Sequence, residues 1–250
     1  MKTKKKKIIV IMPAYNAERT LRKTFNDIPK GVVDEVILVD DGSHDKTVLI
    51  ARQLGIKTFV HPQNRGYGGN QKTCYTLALN EKADIVIMIH PDYQYDSTLT
   101  EEIIRPILQG RFDIVLGSRI RTRKEVLAGG MPLYKYIGNR LLTSLQNAIL
   151  GQNLSEYHTG FRAYHQKVLR KLPFHRFSDD FSFDQDILIS AIKDNFKIGE
   201  IAVPVRYFKE ASSINFQRSV KYGLQILITL GKYVIYNFGI YQSKIFTNKS

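Results

Sequence analysis

The sequence holds one cysteine, Cys74. Without a second thiol there is no intramolecular disulfide, which fits a reducing compartment. Acid is absent from residues 211–250, which carry Arg218, Lys221, Lys232, Lys244 and Lys249. A long apolar run is absent as well. The nearest approach, Tyr222 to Tyr241, is interrupted by Gln225, Lys232 and Asn237, so no window supplies the roughly eighteen uncharged residues of a membrane-spanning helix. The apolar run Ile8 to Met12 stops at Pro13, too early for the core of a secretory signal, so no leader is expected. Neither an internal repeat nor a low-complexity linker occurs. The simplest organisation is one domain over residues 1–210 with a basic amphipathic extension over 211–250.

What is present is charge of one sign. Lys and Arg number 37 against 23 Asp and Glu, a formal charge of +14, and that balance favours anionic partners. Phosphorylated ligands and acidic lipid are expected, nucleic acid is not. The run Lys4 to Lys7 reads as a solubilising tail.

Strands and helices alternate over the first half. Ile8 to Met12 is a continuous apolar, β-branched strand, broken by Pro13-Ala14-Tyr15-Asn16. Asn16 is placed to cap a helix from Ala17 towards Ile28. Glu35 to Val39, Lys57 to His61, Asp84 to Ile89 and Asp113 to Gly117 follow as strands. Helices lie between them over Asp45–Leu54, from the glycines at 66, 68 and 69 through Leu79, and over Leu99–Leu108. This order predicts βαβ units and a Rossmann-like, mostly parallel central sheet with flanking helices. Beyond Ser118 the rhythm weakens. Residues 119–132, with Arg119, Arg121, Arg123, Lys124, Gly129 and Gly130, read as a mobile basic loop. Helices are expected over Leu133–Leu150, Phe183–Lys193 and Phe216–Phe238, an antiparallel strand within Tyr157–Tyr164 and an extended segment over Lys197–Phe208.

Two acidic clusters end strands. Val39-Asp40-Asp41-Gly42-Ser43 and His90-Pro91-Asp92-Tyr93-Gln94 fall at the carboxyl ends of predicted parallel strands, where open α/β sheets bind ligands. Asp40 and Asp41 can accept hydrogen bonds from a base or ribose, or form an Asx-turn. Asp92 with Gln94 offers oxygen ligands for Mg2+ or Mn2+, which combine few carboxylates with substrate phosphates. His90 lies two residues before Asp92 and is either a third ligand or a hydrogen-bonded strand-end histidine. Asn64-Arg65-Gly66-Tyr67-Gly68-Gly69-Asn70 places glycines at a loop-to-helix junction, where backbone N–H groups suit anions. His158-Thr159-Gly160-Phe161-Arg162 and the acids Asp179, Asp180, Asp184 and Asp186 are candidates for the acceptor side.

In order along the chain, Pro13-Ala14-Tyr15-Asn16, Val39 to Ser43, Asn64-Arg65-Gly66, His90-Pro91-Asp92, Gly117-Ser118-Arg119 and Thr159 to Arg162 make the sequence resemble glycosyltransferase family 2, with the GT-A fold. Within it the chain is similar to the branch of dolichol-phosphate mannose synthase and bacterial polyprenyl-phosphate sugar transferases. The resemblance, covering roughly residues 8–210, implies nucleotide contacts at Pro13, Tyr15, Asp40, Asp41 and Gly66, and metal and diphosphate held by Asp92 and Gln94. It further implies phosphate groups facing Arg119, Arg140 and Arg162. Three positions depart from the family pattern. The D-x-D motif reads His90-Pro91-Asp92, the acid expected at Ala17 stands one place late at Glu18, and the acid before Thr159 is represented by Glu156.

The resulting expectation is an inverting glycosyltransferase that moves a sugar from a nucleotide-diphospho-sugar to a polyprenyl or dolichyl phosphate. Asp92, Asp184, Arg119 and Arg162 would be its catalytic residues. A hydroxyl acceptor would need a general base, Asp184 or behind it Asp186, whereas a lipid phosphate is already ionised and needs arginines to place it. The alternatives are transfer to a saccharide hydroxyl and a membrane-surface module with a degenerate site. Nucleotidyl transfer would want a glycine-rich cationic loop after the first strand, and Pro13 to Asn16 is not one. Residues 216–238 read either as a basic amphipathic helix lying on a bilayer or as a terminal helix packed on the domain or on a second subunit. The expected location is cytoplasmic, at the cytoplasmic face of a membrane.

Overall fold

The computed structural model describes residues 5–120, 123–204, 216–240 and 242–246. The 210/211 boundary, Arg121 and the far end of the extended segment to Phe208 lie outside the described residues. Seven strands form one sheet: β1 (Ile8–Ala14), β2 (Glu35–Asp40), β3 (Lys57–Val60), β4 (Ile85–Met88), β5 (Ile114–Ser118), β6 (Arg162–His165) and β7 (Ile198–Ala202). Their spatial order is β3-β2-β1-β4-β6-β5-β7. All neighbours are parallel except β6, which runs antiparallel to both β4 and β5, with Arg162 opposite Met88 on one side and Leu116 on the other.

The central strands β1 and β4 are continuously apolar and fully buried because both sheet faces are covered there. Side chains alternate across the pleat. Ile9 and Ile11 of β1 enter one core layer with Tyr75 of α3 (Tyr67–Asn80) and Ile187 of α8 (Phe183–Lys193). Ile8, Val10 and Met12 enter the other, against Leu21 of α1 (Leu21–Asn26), Ala51 of α2 (Thr47–Gln53) and Ile103 of α4 (Thr100–Leu108). The remaining helices are α5 (Arg123–Ala128), α6 (Leu133–Leu150), α7 (Gln166–Lys171) and α9 (Phe216–Asn237).

Two local expectations are corrected. Asn16 does not cap α1. It adopts φ +51°, its N–H donates to Ser43 Oγ at 2.8 Å and its Oδ1 accepts from the His44 amide at 2.9 Å, so it staples the loops after β1 and β2 while the helix starts later, at Leu21. The basic stretch 119–132 is not all loop, because Arg123–Ala128 forms α5. Helix α9 packs on α6 and α8. Its Ile226 and Leu230 are buried in the core, while Val220, Leu224, Ile228 and Ile235 are exposed.

Candidate active site

Two adjoining cavities open at the carboxyl ends of β1, β2 and β4. The first, about 560 Å3, is lined by Pro13, Tyr15, Asn16, Asp41, Gly66 and Asp92, among others. The second, about 460 Å3, lies under α6 and α9 and includes Asp92, Gln94, Arg119, Lys135, His158 and Asp184. Tyr67, His90, Asp92, Phe181 and Tyr222 line both. The sequence-derived residues divide accordingly. Pro13, Tyr15, Asp41 and Gly66 gather in the first cavity, and Gln94, Arg119 and Asp184 in the second, with Asp92 and His90 at the junction. Asp40, Arg140, Arg162 and Asp186 line neither.

In the first cavity the backbone is held by Asp41. Its Oδ1 accepts from the Arg65 amide at 2.9 Å and lies 2.7 Å from His61 Nδ1, and its Oδ2 accepts from the Gly66 amide at 3.1 Å. The glycine loop is therefore not a vacant anion cradle. The Gly68 amide donates to the Asp179 carbonyl at 2.7 Å, and a Cβ on Gly68 would stand 2.3 Å from the Ser178 carbonyl oxygen. These glycines exist so that α3 can approach the 178–179 segment. Asp40 is fully buried, its Oδ2 accepting from the Ser43 amide at 2.9 Å while its Oδ1 has no hydrogen-bond partner. Glu18 accepts from the Lys46 amide.

At the junction, Asp92 Oδ1 accepts from the Gln94 amide at 3.1 Å. Burial pushes its carboxyl up to about 7, against the backbone hydrogen bond and the Arg119 charge. The Tyr67 hydroxyl donates to Asp184 Oδ2 at 2.8 Å and lies 3.1 Å from His90 Nε2. A carboxylate only accepts, so the single phenolic proton goes to Asp184 and His90 Nε2–H is the donor to Tyr67. Burial pushes His90 down to about 4, keeping it neutral. Its Nε2 is thus spent on Tyr67 and unavailable to a metal.

Asp184 is clamped. Gln71 Nε2 donates to its Oδ1 at 3.2 Å, and Arg162 lies 3.4 Å from Oδ2. Arg162 itself is fully buried and donates to the carbonyls of Thr159, Asp184 and Tyr157. Arg162 anchors β6 to α8 and, in this structure, faces no cavity. Asp186 is used by the Ser178 amide and the Thr229 hydroxyl.

In the second cavity Arg119 is paired with the fully buried Glu156, its Nε donating to Oε1 at 2.9 Å and its backbone amide to Oε2 at 2.8 Å. Burial alone would raise the Glu156 carboxyl, but the Arg119 charge and hydrogen bonds hold it below the usual range. Arg140 points elsewhere, donating to the Ser155 carbonyl at 3.0 Å. The cation the sequence reading missed is Lys135, in the first turn of α6, whose ammonium is lowered by burial and by Arg119. Its only signal was its place just after Pro132 at a helix start. His158 Nδ1 lies 3.1 Å from Gln185 Nε2 and 3.2 Å from the Tyr222 hydroxyl, and its Nε2 is buried without a hydrogen-bond partner. Burial pushes His158 down to about 4.

Residues 9–173 match the model of glycosyl transferase family 2. The chain belongs to that family. As a family 2 member it is a glycosyltransferase. It is 31% identical over 226 residues to an uncharacterised protein of Methanocaldococcus jannaschii, covering 90% of this chain and 91% of that one. It is 29% identical to the UDP-N-acetylglucosamine–dolichyl-phosphate N-acetylglucosaminyltransferase of Methanococcus voltae, over 81% of this chain and 86% of the other. Glucosyl-3-phosphoglycerate synthase of Mycobacterium tuberculosis, crystallised with Mn2+, UDP and glucosyl-3-phosphoglycerate, superposes with a TM-score of 0.70 at 20% identity, covering 95% of this chain and 82% of that one. That likeness shows the GT-A fold. The family match ends at residue 173, so α8, β7 and α9 lie beyond it.

Proposed function

We propose that this glycosyltransferase moves a sugar, with inversion, from a nucleotide-diphospho-sugar in the first cavity to a polyprenyl or dolichyl phosphate in the second. The observation that carries the acceptor half is the chemistry of its cavity. Arg119 and Lys135 bring positive charge, and α6 and α9 bring apolar walls. The one carboxylate there besides Asp92 is Asp184, among the described residues, and Tyr67, Gln71 and Arg162 have already engaged it. A phosphate acceptor needs cations and no base, since its oxygen is already anionic. A hydroxyl acceptor would find no unengaged base beyond Asp92. The dolichyl-phosphate relative supports the same acceptor class.

Asp92 fits a divalent cation. A carboxylate pushed up to about 7 by burial is relieved when a cation neutralises it, and carboxylate with amide oxygen is a hard donor set suited to Mg2+ or Mn2+. Asp92 and Gln94 would hold the ion. When bound, it supplies charge neutralisation for the departing diphosphate. Asp41 shapes the wall for the nucleotide by fixing the 61–66 loop, and Tyr67, held by Asp184, spaces the two cavities. Arg119, fixed by Glu156, and Lys135 hold the acceptor phosphate. We place Arg162 and Arg140 in structural roles, and the catalytic unit in domain 1–210 together with helix α9, which walls both cavities.

No described helix is long and apolar enough to cross a membrane. Contact with the bilayer is proposed through exposed side chains four apart on α6, Leu133, Ile137, Leu141 and Leu145, beside Val220, Leu224 and Ile228 of α9. Two adjacent apolar stripes flanking a phosphate cavity suit a lipid carrier held at the cytoplasmic leaflet. The test offers UDP- and GDP-sugars with Mn2+ and compares dolichyl phosphate, unphosphorylated dolichol and a free saccharide as acceptors. Transfer to the lipid phosphate alone is expected, and transfer to the saccharide alone would overturn the acceptor assignment.

A further inference from the structure

Helix α9 lies outside the span matched by the family, yet Lys221, Tyr222 and Gln225 form part of the donor cavity wall. The charge of that wall is otherwise of one sign. Asp41, Asp92 and Asp180 line it, and among the described residues Lys221 is the one lysine or arginine that does. A diphosphate entering this ring of carboxylates meets repulsion unless cations offset it. One cation is the metal expected on Asp92, and the other is already built into the chain.

Lys221 Nζ rests 3.0 Å from Asp180 Oδ2, with its side chain 67% exposed. Ion pairs this exposed are weak and exchange readily. Releasing the lysine does not strand Asp180, whose Oδ1 accepts from the Phe181 amide at 2.8 Å and whose Oδ2 accepts from Gln225 Nε2 at 3.4 Å. The helix beneath the lysine is fixed. Ile226 and Leu230 are buried in the core, and the neighbouring Tyr222 hydroxyl accepts from Gln185 Nε2 at 2.8 Å. Tyr222 lines both cavities beside Asp92, which puts Lys221 next to the junction where the diphosphate and sugar would lie. A rigidly mounted, loosely paired lysine at that point has the properties of a ligand-exchanging cation.

We propose that Lys221 is a donor-binding residue whose ammonium exchanges the Asp180 carboxylate for the diphosphate of the nucleotide-sugar, sharing its charge with the cation on Asp92. The inference rests on the donor reading of the first cavity. The test is calorimetric titration of the full chain with UDP, GDP, uridine and guanosine in the presence of Mn2+, on wild type, Lys221→Gln, Lys221→Arg and Asp180→Asn. The diphosphate that binds wild type should lose about tenfold in affinity in Lys221→Gln, the scale of one charge-assisted contact, and little in Lys221→Arg. Asp180→Asn, which frees the lysine, should bind it at least as tightly, and nucleoside affinity should not change in any variant. Equal diphosphate affinity in Lys221→Gln would overturn the proposal. So would a parallel loss of nucleoside affinity, or an equal loss in Asp180→Asn, because either would show the pair to be structural. Failure of both UDP and GDP to bind wild type would instead overturn the donor reading itself.

Discussion

Charged side chains are secured differently in the two cavities. On the donor side the buried carboxylates of β2 and its turn grip backbone: Asp41 takes the amides of Arg65 and Gly66 besides the His61 ring, and Asp40 takes that of Ser43. On the acceptor side they grip other side chains, Glu156 with Arg119 and Asp184 with Arg162. An amide-bound carboxylate fixes a loop and can be lost locally. A buried ion pair that loses one partner leaves an uncompensated charge. The donor wall is therefore a set of pinned loops, and the acceptor wall a set of interdependent charges. Asp92 at their border belongs to neither scheme, with one backbone hydrogen bond and no close cation in an ion pair among the described residues.

Removing that border charge gives the largest expected effect. Asp92→Asn should cut transfer by about a thousandfold or more, the scale on which electrostatic stabilisation of a leaving group acts. The same change should stabilise the fold. The Asp92 pKa is raised to about 7 in the native state from an ordinary 3.8, so the native state binds the extra proton between those values. The ionised group's cost thus grows as pH rises through that window and is fully present above pH 7. At pH 8 the variant should melt higher than wild type, by on the order of 10 °C, and at pH 4 at nearly the same temperature. For the same reason Mn2+ binding to wild type should weaken as pH falls below about 7. Calorimetric scans at the two pH values and Mn2+ titrations across pH check all of this.

Breaking an acceptor-side pair comes next. Glu156→Gln leaves Arg119 without its anion and should cost about 2–4 kcal/mol in urea denaturation. The amide-bound Asp41, changed to Asn, should cost clearly less. Equal losses would erase the distinction between the two walls. A smaller, purely functional effect is expected at Lys135. Lys135→Gln should raise the acceptor's KM about tenfold with the donor's KM unchanged, read from initial rates at varied dolichyl phosphate. Smallest of all is Arg140→Ala. Its guanidinium donates to the Ser155 carbonyl away from both cavities, so activity should stay within about twofold and stability within about 1 kcal/mol of wild type.

The same contrast decided how much could be read from sequence. Strands β1, β2 and β4 were visible because their sides are both buried and their residues continuously apolar, and the carboxyl-end acids Asp41 and Asp92 followed from strand direction alone. The role of the 66–69 glycines was not visible. The amides of Gly68 and Gly69 and the tight approach of Gly66 and Gly68 are set by residues 178–179, more than a hundred positions away. Arg162 was expected to face a phosphate because the family resemblance implied it. Only the fold reveals that three carbonyls and Asp184 enclose it. Helix α5 was hidden behind the charge and glycines of its neighbours, although Arg123 to Ala128 has ordinary helix-forming composition. Lys135 carried no motif, and its importance comes from its sharing a cavity with Arg119 across the fold.

Strand β6 has a consequence for how the chain assembles. Among the described residues it is the strand that joins the block β3-β2-β1-β4 to the pair β5-β7. During synthesis β4 emerges more than seventy residues before β6. Until Arg162–His165 arrives, β4 is a bare apolar edge and β5 has no place in the sheet, the state in which chains pair with the wrong neighbour. Closing that gap also means paying for a long loop before any contact rewards it. This short strand is thus the clasp of the molecule, and neither half of the active centre is complete before it closes.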